Sequence, residues 1–182
     1  MVRRCLFLLL LVLVATACAA PAAMAARACQ SANATPASAA KRTMVRATLC
    51  VLNVRRDAHG LRPLKLNRRL SRAARRHARD MARRDYFSHD TLGGGSFVDR
   101  IRRAGYLRGA RRWAVGENLA WGTHYRSAPR AITEMWMASP GHRANILNPS
   151  FREIGIGLEY GAPVRGSGDV AATYATTFGS KN

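Results

Sequence analysis

The spacing of apolar residues changes period once along this chain, and that change restricts the available folds more than any other feature. Up to about residue 147 the repeats are helical. Val45, Leu49 and Leu52 recur at i, i+4 and i+7 and His59-Gly60 closes the segment, so residues 43 to 59 read as an amphipathic helix. "LRPLKLN" reads as a turn, after which Asn67 caps a long helix to about Asp85 with an inner stripe of Leu70, Ala73, Ala74, His77, Ala78 and Met81. Gly93-Gly94-Gly95 breaks the chain, and Ser96 with Asp99 makes a capping-box-like start for "FVDRIRRAG". Ser127 caps a further helix, with Pro129 in its first turn and Ile132, Met135 and Trp136 inside, which Pro140-Gly141 ends. Then the period drops to two. Ile154, Ile156 and Leu158 alternate in "EIGIGLEY", "GAPVRGSG" reads as a hairpin loop, and "DVAATYATTFG" carries Val170, Ala172, Tyr174, Thr176 and Phe178 on one face. Helices first and a hairpin last, without βαβ alternation, imply an α+β layered domain with an antiparallel sheet.

Residues 1 to 25 stand apart from that domain. Arg3 and Arg4 form a positive start, Leu6 to Ala17 a short apolar run, and Ala23-Met24-Ala25 a small-residue cleavage site, the pattern of a secretory signal. "VATAC" offers a competing reading, a lipoprotein anchored through Cys18. Either way the product is expected to leave the cytoplasm, as a monomer without a transmembrane segment. Residues 26 to 42 read as a flexible arm and 43 to 182 as the domain. Cys29 and Cys50 then form an even pair in an exported chain, which reads as a disulfide contributing about 3 kcal/mol in the chain-entropy model.

The formal net charge of +20 suits attraction to polyanions such as an anionic envelope polymer. Yet only Lys41, Lys65 and Lys181 are lysines, and an arginine excess of this kind is also what a GC-rich genome writes onto permissive surface positions. Charge therefore names no partner, and no specific nucleic acid is expected.

Three polar side chains interrupt apolar or glycine-bounded segments: His89 in "YFSHD", Glu117 in "VGENLAWG" and His142 in "SPGHRANIL". A carboxylate near a core needs a donor or a cation. Two histidines can supply it as imidazolium, or can join it around a divalent metal such as zinc. Trp113 to Ala120 is apolar enough for a buried strand or a packed loop; the glycine and asparagine beside Glu117 fit a turn that delivers the carboxylate, with Leu119 and Trp121 anchored in the core. His77, on the long helix's apolar stripe, reads as a core imidazole bonded to backbone. Nucleophile elbows and phosphate-binding loops are missing.

The ordered segments "LNVRRDAHGLRPLKLN", "ARRHARDMARRDYFSHD", "VGENLAWG", "WMASPGHRANILNPSFREIGIGL" and "YATTFG" closely resemble the CAP superfamily, the cysteine-rich secretory, antigen 5 and pathogenesis-related proteins, in its bacterial SCP-like form. The resemblance runs from about Met44 to Gly179. It implies a three-layer α-β-α sandwich with a central antiparallel sheet and a cleft faced by His89, Glu117 and His142, whose histidines bind a divalent cation (zinc or magnesium) in some members. Eukaryotic members place a second cleft glutamate where this chain has Ser139. Glu134, two residues before Trp136, lies on a different part of the helix turn and is not carried into that role.

Three functions follow as expectations. The first is a secreted, non-enzymatic binding module whose cleft takes a lipid, peptide or envelope component, with a cation on His89 and His142. The second is a metal-assisted hydrolase in which Glu117 serves as general base. The third is a basic envelope-associated structural protein.

Overall fold

The computed structural model describes residues 29–166 and 170–182, so the expected signal segment, its cleavage site and Cys18 lie outside the described residues. In chain order the elements are α1 (Lys41–Asp57), β1 (Lys65–Leu66), α2 (Arg68–Arg84), α3 (Phe97–Arg103), β2 (Trp113–Thr123), a 3-10 turn (His124–Ser127), α4 (Pro129–Ala138), α5 (Pro140–Ile146), β3 (Glu153–Tyr160) and β4 (Ala171–Lys181).

The strands form one sheet in the order β1-β3-β4-β2. The long pairings β2–β4 and β3–β4 are antiparallel, as expected; the two-residue β1, within the segment expected only to turn, adds a short parallel pair with β3. The sheet is therefore mixed. Helices cover both faces, which makes the three-layer α-β-α sandwich. On one side α1, α4 and α5 close over Ile154, Ile156, Leu158, Tyr174 and Phe178. On the other, α2 packs Ala74, Ala78 and Met81 against Leu119 and Ala175, and its Leu70 and Ala73 join Ile101 of α3, with Ala104 and Tyr106, in a second cluster.

Alternation along β3 explains the glycines of "EIGIGLEY". The isoleucines face α1, whereas Gly155 and Gly157 face α2, where a Cβ at either position would collide with the backbone of Leu70 or Ala74. The alanine-rich stripe of α2 and this glycine pair let helix and sheet meet backbone to backbone. The cap of α2 forms as expected, Asn67 Oδ1 accepting from the amides of Arg69 and Leu70. Ser96 and Asp99 complete the capping box of α3.

Four local expectations change, the first being that Met135, expected inside with Ile132 and Trp136, is exposed on α4. Ser127 belongs to the 3-10 turn, and Ala128 occupies the N-cap of α4. Pro140 does end α4, but it also starts α5, because the first helical turn tolerates a residue without an N–H. Trp121 is half-buried rather than anchored in the core.

The Cys29–Cys50 disulfide is present. It ties the turns of residues 29–40 to α1, and Ala32 is buried with Val51 in a small cluster. The carbonyl of Ala32 accepts from the Arg130 amide on α4, so this stretch bridges two helices.

Arg56 is the unexpected part of the fold. Fully buried near the end of α1, it donates to the carbonyls of Arg62, Ile146, Asn148 and Phe151 and so fastens the exit of α5 to α1. Burial, with help from Arg152, lowers its pKa.

Candidate functional site

β2 is an edge strand, and the candidate site lies along it. The segment "VGENLAWG" is a strand with Glu117 opposite Thr177 of β4, which resolves the strand-or-loop alternative and replaces the turn expected around Glu117. Alternation sends Asn118 toward α4 and α5 and sends Glu117, with Leu119, toward α2 and α3. Gly116 has a steric role: a Cβ there would stand 2.8 Å from Asn145 Oδ1 and 3.2 Å from Phe151, displacing the side chain that braces this strand. Asn145 Nδ2 donates to the carbonyl of Glu117 and to Asn118 Oδ1, and Asn118 Nδ2 donates to the carbonyl of His142. These amides occupy the strand edge and fix α5 against it.

The Glu117 side chain is 1 % exposed, yet its charge is fully answered. Arg100, from the buried face of α3, places Nη2 at 2.8 Å from both carboxylate oxygens. His89 Nδ1 lies 2.9 Å from Oε1. His89 itself stays about half exposed, on the loop that follows α2. That loop is held from behind by His77, whose Nε2 donates to the carbonyl of Ser88 at 2.8 Å, so the expected backbone-bonded core imidazole lies next to the site. Burial, then the Arg100 charge, lowers the His77 pKa.

His142 projects from α5. Its pKa is lowered by burial and then by the charge of His89, and its backbone carbonyl accepts from Asn118, the neighbour of Glu117 on β2. The ring of His142 and the Nε2 of His89 make no hydrogen bond among the described residues. The structure thus joins His89 to Glu117 directly and brings His142 beside them. Ser139 sits at the junction of α4 and α5, where its side chain makes no bond to the other three. Glu134 lies within 3.8 Å of Arg55 of α1, on the exposed far side of α4.

Sequence reasoning missed Arg100. Its signal was positional: it follows Phe97 by three residues and sits beside Ile101, inside the apolar stripe of a short helix. In a chain with 30 basic residues, one more arginine drew no notice.

The cysteine-rich secretory protein (CAP) family model matches residues 49–176, a span that includes every residue of this site. The chain belongs to the CAP family. Among curated relatives it is 38% identical over 105 residues to the protein YkwD of Bacillus subtilis, covering 58% of this chain and 38% of that protein. It is 34% identical over 111 residues to the membrane protein YlbC of the same organism, covering 61% and 30%. The chain therefore spans well under half the length of either relative. Among solved structures, an extracellular protein containing a SCP domain from Bacillus anthracis superposes with a TM-score of 0.59 at 27% identity, covering 77% of this chain and 43% of that one. An outer surface protein of Borrelia burgdorferi superposes with a TM-score of 0.64 at 17% identity, covering 79% and 97%, a likeness of fold. No helix among the described residues is long and apolar enough to cross a membrane.

Proposed function

We propose that this CAP domain is exported and acts as a non-enzymatic binding module, whose cleft presents the imidazoles of His89 and His142 to a divalent cation beside a lipid, peptide or envelope ligand. One observation carries the reading: His89 Nδ1 is engaged by a buried carboxylate while its Nε2 faces away unbonded. A carboxylate behind an imidazole fixes the tautomer and raises the basicity of the far nitrogen, the arrangement found behind metal-ligating histidines. Burial lowers the His142 pKa, which favours the neutral ring that a ligand must present.

The donor set suits a loosely held ion. Two nitrogens are available, Glu117 is occupied behind them, and the described residues contain no group of three or more His, Cys, Asp or Glu that could hold a metal. Catalytic zinc has three protein ligands. A bound cation would supply Lewis acidity and positive charge at the cleft, while the protein orients His89 through Glu117 and Arg100. General-base catalysis is disfavoured because both Glu117 oxygens already accept from Arg100. Export is supported by the secretory pattern of residues 1 to 25 and by the extracellular Bacillus anthracis neighbour.

Calorimetric titration of the purified chain with zinc, beside the His89→Ala/His142→Ala variant, tests the reading. Saturable binding lost in the variant is expected; equal heats in both proteins would remove the cation from the proposal. Turnover of an ester or peptide that disappears with Glu117→Gln would instead establish the hydrolase.

A further inference from the structure

The cleft lies along β2, at one edge of the sheet, and a groove runs along the opposite edge. The start of α1, β1, the outer side of β3 and α2 enclose it. At its α1 end it holds about 730 Å³, within the roughly 300–1,000 Å³ of ligand sites. A concavity of about 680 Å³ continues it toward Arg68 and Arg69 at the start of α2, with Leu66, Ser71, Arg72 and Arg75 lining both.

One wall of the groove is cationic along its whole length. Arg68, Arg72, Arg75 and Arg79 recur at i, i+4, i+7 and i+11, so they form one exposed row on α2 about 17 Å long. None of the four has an ion pair among the described residues. Glu159, the acid in the lining, is taken by Lys41 at 2.6 Å, and Asp80, the acid of α2, by the Tyr86 hydroxyl. Like charges four apart on a helix repel one another. A genome that prefers arginine to lysine changes the type of base and not this want of counter-charge.

The rest of the lining is apolar, and it lies on the other face of the sheet. Val45 of α1 packs with Ile156 and Leu158 of β3 on the α1 side, whereas the arginines belong to the α2 side. Between them Leu66 of β1 is 46 % exposed. The Lys65 and Asn67 amides donate to the carbonyls of Arg152 and Ile154 on β3. Alternate residues of a strand turn their N–H and C=O to opposite sides, so both groups of Leu66 point outward from the sheet. Neither has a partner among the described residues. A free strand edge therefore lies between a cationic face and an apolar one.

These features select among occupants. A lipid with one charged head leaves most of the arginine row unanswered, and a uniformly charged polymer has nothing to offer the apolar side. A second copy of this chain, with 10 acidic against 30 basic residues, is a poor source of negative charge. An added strand shows its side chains alternately to the two faces of the sheet, with same-side groups about 6.6 Å apart, so the arginine row matches about three carboxylates. We propose that the groove between α1 and α2 at the β1 edge docks an extended segment of a partner protein that alternates acidic and apolar residues, its main chain pairing with Leu66, its carboxylates meeting the α2 arginines and its apolar side chains meeting Val45 and Leu158.

The test is fluorescence anisotropy at about 0.15 M salt with a labelled heptapeptide alternating aspartate and valine, beside a peptide of the same composition with its aspartates in one block. Arg75→Gln/Arg79→Gln is compared with Arg108→Gln/Arg111→Gln, which removes the same charge from exposed positions outside the groove. Expected are saturable binding of the alternating peptide, a loss of roughly tenfold or more in the groove variant, little change in the other, and a blocked peptide weaker by a similar factor. The Leu66 amide resonance should shift on addition of the alternating peptide, and His89→Ala/His142→Ala should bind it as the parent does. Equal losses in the two arginine variants would reduce the effect to diffuse charge and overturn the groove. A blocked peptide that binds as well would overturn the added strand, binding lost with the two histidines would move the peptide to the cleft, and no saturable binding would overturn the proposal outright.

Discussion

Replacing Arg100 by alanine should do far more damage than the loss of one surface cation. The Arg100 and Glu117 side chains are 6 % and 1 % exposed, and Nη2 stands 2.8 Å from each carboxylate oxygen, so the substitution strands a buried carboxylate with only a half-exposed imidazole beside it. Breaking a buried pair from one side costs about 3–5 kcal/mol, against ~0–1 kcal/mol for an exposed pair. For a chain of this size each kcal/mol lowers Tm by about 2–4 °C, so a fall of roughly 6–20 °C is expected. The measurement is a double-mutant cycle of urea unfolding with the disulfide intact: Arg100→Ala, Glu117→Gln and both together. The double variant should be more stable than Arg100→Ala alone, because the second change removes the stranded charge. An Arg100→Ala cost under about 1 kcal/mol, or a double variant whose losses simply add, would refute the picture of a buried, mutually dependent pair.

The other expected outcomes can be stated together. His77 and His142 both have pKa values lowered from 6.5 by burial, so the folded chain binds fewer protons than the unfolded one. Stability present above pH 6.5 should be lost as pH falls through the lower folded values, giving a urea midpoint that declines from pH 7.5 to 5.5, less steeply in His77→Gln; a flat midpoint in the parent chain would contradict this. Gly157→Ala forces a methyl into the backbone of α2 and should cost about 3 kcal/mol by chemical denaturation, whereas Gly93→Ala, with nothing nearby, should be close to neutral. Arg56→Met leaves four carbonyls without their donor and should cost roughly 3 kcal/mol or more, read as a lower melting temperature; a change under about 1 kcal/mol would show that water replaces it freely.

Much of the frame was legible because local chemistry and tertiary demand agree. Asn67 caps α2 whatever packs on it, and Ser96 with Asp99 encloses its own helix start. The β3 alternation was visible, although the purpose of Gly155 and Gly157 was not: a glycine's role here is the close approach of α2, which no spacing within β3 reveals. β1 escaped notice because two residues carry no period, and its pairing is owed to β3 about ninety positions later. His89, Glu117 and His142 were visible as polar residues in apolar company. The mistake at Glu117 was to infer a turn from Gly116 and Asn118, since both serve the strand: the glycine makes room for Asn145, and Asn118 holds the carbonyl of His142.

Arg56 and Arg100 mark where sequence reading failed for a physical reason. In a chain this rich in arginine, the few that are buried are indistinguishable in type from the many that are solvated, and only packing separates them. Both work from inside. Arg56 gathers carbonyls at the exit of α5, the helix that carries His142, while Arg100 holds the carboxylate that orients His89. The two imidazoles of the cleft are thus positioned by two buried guanidiniums on opposite faces of the sheet.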